Sequence, residues 1–377
     1  MNDTSFDLPG YGRASLADLA PSVLASLGVA GEPDLLGLAP ARRACVLLID
    51  GMGWELLVRN RARAPFLSSL IGASTTITAG FPTTTATSLT TFGTGLAPGH
   101  HGVFGYQVAV PGSDRILNQL RWDPDIDPET WQPRATVYQR AEQAGVATAY
   151  VAAGAYEGSG LSRASARGSR YTPANDITEL AVKAAAALTA HERALVFVYH
   201  SDLDTYGHMF GVDSDYWRLH LGHVDRLAEQ IADTLPADTA MYITADHGMV
   251  DTSPASRVDV QSDPVLSTGV RVLAGEPRVR QVYTRDGATA DVLAAWRERL
   301  ADRAVVMERD QAIADGLFGD VDDGLRDRIG DVLALARADT VLITPRTERV
   351  ESTFIGHHGS LTADELRVPL LRLPHTD

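Results

Sequence analysis

Acidic and imidazole side chains come directly after several apolar runs of the chain. Asp50 follows "VLLI", and Asp246 and His247 follow "MYITA". Asp204 and His208 come shortly after "LVFVY". Carboxylate and imidazole groups together are typical ligands of zinc, and also of manganese or iron. Their spacing therefore predicts a metal site assembled from distant parts of the chain.

A further pair of histidines, His357 and His358, lies in the glycine-flanked stretch "FIGHHGS" near the end of the chain. Each of these groups alone has an ordinary structural explanation, because aspartate after a strand commonly forms a turn or a helix cap. Asp246 and His247 are neighbours, so they would point to opposite faces of a regular strand. A turn at Gly248 lets them converge, and the joint position of all these groups favours a metal site.

The elements that must position these groups are short apolar runs alternating with helical patterns. Ser214 is the expected N-cap of the helical pattern in 214–235, and a second helix is predicted within 178–192. The alternation predicts an α/β fold with a mostly parallel central sheet sandwiched by helices, and ligands bind beyond the carboxyl ends of such strands. Buried parallel strands are predicted at 45–49, 146–152, 194–199, 240–245 and 340–344.

Residues 265–335 have a different pattern. The stretch "GVRVLAGEPRVRQVYT" resembles a hairpin, and a helix in "ATADVLAAWRERLADR" and a short strand "AVVM" follow it. This predicts a small α+β cap inserted into the chain. Residues 1–264 and 336–377 are then expected to form the metal-binding α/β core.

Composition narrows the class of protein. The chain has 377 residues, of which 45% are hydrophobic and 21% charged, as in ordinary globular proteins. A net charge of −15 argues against binding to a nucleic-acid duplex, whose phosphates attract basic surfaces. No run approaches the roughly 20 apolar residues of a membrane span, and we expect no membrane association. The single Cys45 cannot form an internal disulfide, and the first residues show no signal peptide, so a cytoplasmic location is expected.

The stretch "FPTTTATSLTTFGTG", residues 81–95, is rich in threonine. On its own it fits either a hydroxyl-rich loop or a segment that holds one reactive threonine. The stretch "IDGMGWEL" suggests a dinucleotide-binding turn, but Leu56 stands where the third glycine of that fingerprint belongs. A dinucleotide site also leaves the histidines unexplained.

Five blocks in order resemble the alkaline phosphatase superfamily, and more closely its nucleotide pyrophosphatase/phosphodiesterase branch. They span residues 45–359 and read "LLIDGMG", "FPTTTATSLTTFGTGLAPGHHGV", "DTYGH", "TADHGM" and "GHHGS". The resemblance implies an alkaline-phosphatase-like core and two divalent metal ions, with Zn²⁺ expected first and Mn²⁺ or Fe as alternatives. It also implies a small phosphorylated substrate, while the oligomeric state stays open.

The resemblance also assigns roles to residues. Pro82-Thr83-Thr84-Thr85 matches the family's Pro-x-x-Thr, which makes Thr85 the expected nucleophile of a phosphothreonine mechanism, at the first turn of a helix. The pattern Gly-x-His-Gly selects His358 over His357. One metal is expected on Asp204, His208 and His358, and the other on Asp50, Asp246, His247 and Thr85.

Two positions depart from the nucleotide-cleaving relatives. Ala86 replaces an aromatic residue that can stack on a base, and Tyr106 stands where the relatives have a phosphate-contacting asparagine. Base stacking by Phe66, by Tyr206 or by the cap remains an expectation. Phosphodiester or pyrophosphate cleavage is the leading interpretation. The alternatives are a phosphomonoesterase, a phosphonate hydrolase, a metal-dependent phosphosugar mutase or a non-catalytic metal-binding protein.

Overall fold

The computed structural model of the protein describes residues 6–373. Its strands, in chain order, are β1 (Arg43–Ile49), β2 (Thr75–Thr78), β3 (Gln107–Ala109), β4 (Ile116–Asn118), β5 (Ala147–Ala152), β6 (Arg170–Pro173), β7 (Ala194–His200), β8 (Thr239–Thr244), β9 (Val250–Asp251), β10 (Arg257–Asp259), β11 (Val270–Glu276), β12 (Val279–Thr284), β13 (Ala304–Glu308), β14 (Val332–Ala336), β15 (Val341–Ile343), β16 (Gly356–His357) and β17 (Arg367–Leu373).

The helices differ widely in length, from single turns to the long α11. In chain order they are α1 (Leu16–Ser26), α2 (Trp54–Arg59), α3 (Pro65–Leu70), α4 (Thr85–Thr94), α5 (Pro98–His101), α6 (Pro128–Trp131), α7 (Val137–Gln143), α8 (Gly160–Ser165), α9 (Ile177–Thr189), α10 (Asp202–Phe210), α11 (Asp215–Thr234), α12 (Pro264–Ser267), α13 (Thr289–Leu300), α14 (Arg309–Ala314) and α15 (Ala363–Leu366).

The central sheet has seven strands in the order β2-β17-β8-β1-β7-β5-β6. Strands β8, β1, β7, β5 and β6 run parallel, whereas β17 is antiparallel to both of its neighbours. Strand β1 is buried from Ala44 to Ile49, as expected of a strand covered by helices on both faces. The predicted α/β class with a mostly parallel, helix-flanked sheet is confirmed.

Four of the five predicted strands lie in this sheet as β1, β5, β7 and β8. The fifth predicted strand is present as β15 and is parallel to its neighbour, but it pairs with β10 in a separate two-stranded sheet and lies outside the central sheet. Its Leu342 amide donates to the carbonyl of Pro277 and so joins this segment to the β11–β12 hairpin instead. The antiparallel position in the central sheet is taken by β17, which the sequence did not reveal because Pro369 and two arginines interrupt its apolar pattern.

The segment predicted as a cap contains a four-stranded antiparallel sheet in the order β11-β12-β14-β13. The predicted hairpin is β11–β12, and the predicted helix is α13. A hydrophobic cluster around the fully buried Trp296 lies under this sheet, and the Trp296 indole donates to the Leu266 carbonyl. The boundaries at 265 and 335 stay a prediction. Within residues 6–373, no helix is both long and apolar enough to cross a bilayer.

Candidate active site

Three neighbouring strands of the central sheet bring the predicted ligands to one edge. Strand β1 lies between β7 and β8, and Asp50 follows β1 directly. Asp246 and His247 come just after β8, while Asp204 lies on α10 just after β7. The carboxyl ends of parallel strands share one edge, so these groups meet there despite their separation in the chain.

Thr85 is the first residue of α4 and faces this edge. Its Oγ1 lies 3.4 Å from Oδ2 of Asp50 and 3.3 Å from Nε2 of His247. The residue before it, Thr84, is the N-cap, and its side chain makes no capping hydrogen bond. The backbone N–H groups of the first turn of a helix have no partner within the helix. The Thr85 hydroxyl therefore lies between predicted ligands and a set of free amide donors.

One cluster surrounds the imidazole of His247. Its Nε2 lies 3.4 Å from Oδ1 of Asp50 and 3.5 Å from Oδ2 of Asp246. Its Nδ1 is 3.0 Å from the carbonyl of Gly248, to which it donates. That hydrogen bond leaves the Nε2 lone pair directed at the carboxylates, which is the tautomer that a metal ligand needs.

A second cluster consists of Asp204, His208 and His358. Nε2 of His208 lies 3.3 Å from Asp204 Oδ2 and 3.2 Å from His358 Nε2. The Nδ1 atoms of the two histidines donate to the carbonyls of Gly356 and Thr83, each at 2.8 Å. His357 points elsewhere, with its Nε2 3.2 Å from the Phe354 carbonyl. The histidine that the structure brings to Asp204 is therefore His358.

The two clusters adjoin each other. The His247 and His358 rings stack with centroids 3.6 Å apart. A ligand oxygen of Asp204 lies within 4.8 Å of ligand atoms in both clusters, in one group with His208 and His358 and in another with Asp50 and His247. Asp204 thus occupies a more central place than the sequence predicted.

Glycines permit this crowding. Gly51 has φ +73°, and a Cβ there would come within 3.1 Å of Asp204. A Cβ at Gly248 would lie 1.9 Å from the carbonyl oxygen of Asp364. A side chain at either position would displace the segment that carries Asp204 or His247.

The carboxylates of this site have no arginine or lysine partner within residues 6–373, and their only ion-pair distances are to histidines. Within residues 6–373, Oδ1 of Asp50, Oδ1 of Asp204 and Oδ2 of Asp246 are buried without a hydrogen bond. Burial, and then the neighbouring Asp246 carboxylate, raises the pKa of Asp50 well above its usual range. Burial likewise raises the pKa of Asp246.

Burial, and then the facing rings of His247 and His208, lowers the pKa of His358. Carboxylate oxygens without hydrogen bonds beside imidazole nitrogens form a donor set that fits divalent cations such as Zn²⁺. Without a cation, burial of several acids this close together is unfavourable. The residues present therefore fit two bound cations.

Two cavities meet at Thr85. The larger, of about 440 Å³, is lined by Thr85 together with Asp50, Asp204, Tyr156 and Tyr199. The smaller, of about 220 Å³, is lined on its other side by Ala86, Tyr106, Glu276, Glu351 and His358. Arg121 lines both cavities.

Of the predicted substrate contacts, two lie in the smaller cavity. Ala86 is buried there and offers no stacking surface. Burial raises the pKa of Tyr106, so its phenol stays protonated and donates to Glu351 Oε1 at 3.1 Å. Both contacts remain predictions.

The structure does not support substrate contact by Tyr206. It lies two residues beyond Asp204 on α10, so it points to a different face of the helix from Asp204 and His208. Its ring packs against Phe210 and His220, with centroids 6.0 and 4.8 Å away. Phe66 packs against the core and donates its amide to Asp225.

Other residues of the site were missed from the sequence. The phenol of Tyr199 donates to Asp50 Oδ2 and fixes that carboxylate. Glu276, at the end of β11, accepts a hydrogen bond of 2.8 Å from the Tyr106 amide. Arg121 lies in the irregular stretch "LNQLRWDP". No motif marks these residues. Only the alternation of side chains along β7 could have indicated that Tyr199 points toward the site.

Comparisons with known proteins place this geometry in a family. A profile described as Type I phosphodiesterase / nucleotide pyrophosphatase matches residues 44–361. A search of curated protein sequences gives no match. Murine ectonucleotide pyrophosphatase / phosphodiesterase 5, an inactive variant in complex with AMP, has a TM-score of 0.68 and 19% identity over 87% of each chain. The human protein of that name has a TM-score of 0.67 and 19% identity over 87% of each chain.

A phosphonoacetate hydrolase from Sinorhizobium meliloti 1021, in complex with phosphonoacetate, has a TM-score of 0.67 and 17% identity. The match covers 89% of this chain and 92% of that one. At such identities the likeness shows the fold, whereas the sequence profile covers most of the chain and shows the family. The chain belongs to the type I phosphodiesterase/nucleotide pyrophosphatase family, a hydrolase family of the alkaline phosphatase superfamily.

Proposed function

We propose that this protein is a two-metal phosphodiesterase or nucleotide pyrophosphatase that acts through a phosphothreonine intermediate on Thr85. The observation that carries the proposal is the place of the Thr85 hydroxyl. It lies at the start of α4, 3.3 Å from His247 and 3.4 Å from Asp50, beside buried carboxylate oxygens that lack partners. A threonine hydroxyl is a weak nucleophile that needs such activation.

The donor set divides into two ligand groups around Thr85. Asp50, Asp246 and His247, with Thr85, are proposed to hold one cation, and Asp204, His208 and His358 the other, with Zn²⁺ expected first and Mn²⁺ or Fe as alternatives. When bound, a pair of such cations acidifies the attacking hydroxyl and neutralises charge on the attacking and leaving oxygens.

The remaining steps fall to this chain's own groups. The first-turn amides of α4 bind the phosphoryl oxygens, because they are unpaired donors at the positive end of the helix. Tyr199 holds the Asp50 carboxylate through its phenolic hydrogen bond. Arg121 supplies a positive charge at the mouth of both cavities for an anionic substrate.

A phosphonate hydrolase is the second candidate. The smaller cavity offers only about 220 Å³, and the buried Ala86 beside Thr85 provides no ring for a base. Both features favour a compact anionic substrate over a nucleotide. The likeness to a phosphonoacetate hydrolase agrees with this alternative. Phosphomonoesterase and phosphosugar mutase activity are further candidates, and a cytoplasmic location stays part of the proposal.

The test is a substrate panel with the zinc-loaded protein. It compares a chromogenic phosphodiester, pyrophosphate-linked nucleotides, a phosphomonoester, phosphonoacetate and a hexose phosphate, with product analysis for isomerised sugar. Turnover of diesters or pyrophosphates above the other classes supports the proposal. Preference for phosphonoacetate favours the second candidate, and no turnover with two metals bound indicates a non-catalytic protein.

The nucleophile is tested by substitution in the same panel. We expect Thr85→Ala to lower kcat by at least about 1,000-fold, because the substitution removes the proposed attacking oxygen. Thr85→Ser is the matched control, since it keeps the hydroxyl and should retain turnover and a mass shift for a trapped phosphoryl group. Full activity of Thr85→Ala with intact metal content would contradict the assignment.

A further inference from the structure

Two histidines face each other outside the candidate active site. His200 is the last residue of β7, and His220 lies on α11. Their Nε2 atoms are 3.0 Å apart, and their rings are inclined by only 19° with centroids 5.3 Å apart. His200 is buried and His220 is half-buried. Both nitrogens thus point to the same small space.

The alternation of β7 separates this pair from Thr85. Tyr199 points to one face of the sheet, where its phenol reaches Asp50. The next residue, His200, therefore points to the opposite face, toward α11. Asp202, the first residue of α10, lies close by, and a ligand atom of each of the three residues lies within 4.8 Å of the others.

The chemistry of these groups is that of a metal site. Burial, and then the facing His200 ring, lowers the pKa of His220 to about 4, so its ring is uncharged at neutral pH. Two nitrogens bound to one tetrahedral zinc at 2.0–2.1 Å stand about 3.3 Å apart, close to the spacing observed here. A carboxylate completes a typical mixed donor set.

The surroundings leave room for further ligands. A cavity of about 270 Å³ is lined by His200, Asp202 and His220, and also by Asn175, Asp176 and His223. Asp202 and His223 are exposed, so water reaches the cavity. A bound water can therefore take a remaining coordination position.

We propose that His200, Asp202 and His220 bind a third divalent cation, of the borderline class that includes Zn²⁺, separate from the two ions beside Thr85. This ion ties the end of β7 to the start of α10 and to α11. Helix α10 also carries Asp204 and His208, so the third ion fixes the position of two proposed ligands of the cations beside Thr85. The alternative without a metal is a single N–H···N hydrogen bond between the His200 and His220 rings.

The test is metal stoichiometry after equilibrium dialysis against buffered zinc, measured by elemental analysis. Wild type is expected to hold three ions per chain. His220→Phe keeps a ring in contact with His200 and Tyr206 but removes the nitrogen, and Asp202→Asn keeps the shape but removes the charge. Both variants are expected to hold two ions. His191→Ala is the control, because this exposed histidine precedes β7 at its opposite end.

Circular dichroism and thermal unfolding verify that each variant is folded before its metal is counted. The result that overturns the proposal is wild-type protein with two ions, or His220→Phe and Asp202→Asn with the same content as wild type. This readout does not depend on catalysis. If the protein shows no turnover but His220→Phe binds one ion fewer than wild type, the proposed function is contradicted and the third metal site is supported.

Discussion

Two buried groups of charged side chains in this protein are balanced in opposite ways. In the β11–β12 hairpin, Arg278 pairs with Glu365 at 2.7 Å and Arg280 pairs with Glu348 at 2.5 Å. Both pairs are bidentate and have almost no exposure. The second group, the strand-end cluster, consists of Asp50, Asp204 and Asp246. Within residues 6–373 these acids form no ion pair with an arginine or lysine, and one oxygen of each has no hydrogen bond.

The difference separates a structural role from a functional one. The charge of a buried acid that is paired with an arginine is neutralised within the fold, and the pair links two segments of the chain. Acids buried together without a cationic side chain cost stability unless a cation comes from outside. The strand-end cluster therefore fits cations supplied from solution, as the proposed function requires, whereas the arginine pairs need none.

The largest effect is expected when one acid of the strand-end cluster is removed. We expect Asp246→Asn to weaken metal binding by more than about 100-fold, the upper end for loss of a group that only orients a ligand. The metal-free variant should be more stable than metal-free wild type, because a buried unpaired acid is gone. Metal titration and denaturant unfolding measure both effects, and a destabilised metal-free variant would contradict the account.

The opposite change removes a cation from the other group. Arg278→Leu leaves Glu365 buried without its cationic partner, which should lower the free energy of unfolding by about 3–5 kcal/mol. The metal content of the folded protein should not change. The double variant Arg278→Leu with Glu365→Gln is the control, and it should recover much of the loss. Equal instability of both variants would mean that packing, not charge, is what Arg278 provides.

Glu276 provides an intermediate case, because it is buried in the smaller cavity without an arginine in direct contact. Burial raises its pKa from 4.5 to about 8. Between these values the native state holds a proton that the unfolded state has released, so stability falls as pH rises, by up to about 1.4 kcal/mol per unit.

Glu276→Gln should flatten this decline in metal-free protein, as denaturant unfolding at a series of pH values can measure. Asp286→Asn, which changes an exposed acid, is the control. An unchanged slope in Glu276→Gln would show that Glu276 ionises normally.

The smallest expected effect concerns Arg121, the exposed arginine at the cavity mouth. Arg121→Ala should raise KM for anionic substrates by roughly 10-fold with little change in kcat, because an exposed charge guides binding more than chemistry. Arg61→Ala, which lines neither cavity, is the matched control. A large fall in kcat instead would place Arg121 at the reacting phosphoryl group.

Much of this arrangement could be predicted because parallel strands place their carboxyl ends at one edge. Asp50, Asp246 and Asp204 follow clear apolar runs, so their meeting required only the fold class. The helix that begins at Thr85 was expected from the family resemblance and the inserted hairpin from local pattern, and both are present.

The rest depended on contacts that leave no local pattern. His200 and His220 face each other because α11 packs against α10, the helix that follows β7, and nothing near either residue in the sequence indicates the other. Tyr206 was expected to contact the substrate, but helical geometry turns its ring toward His220. Glu276 reaches the site because the hairpin folds back over Tyr106.

The most direct measurement is anomalous scattering from crystals of zinc-loaded protein at the zinc edge. We expect two strong peaks beside Thr85 Oγ1, one contacted by His247 and the other by His208 and His358, at metal–nitrogen distances of about 2.1 Å. A single peak, or peaks away from the Thr85 hydroxyl while the strand-end acids stay without a cation, would contradict this expectation.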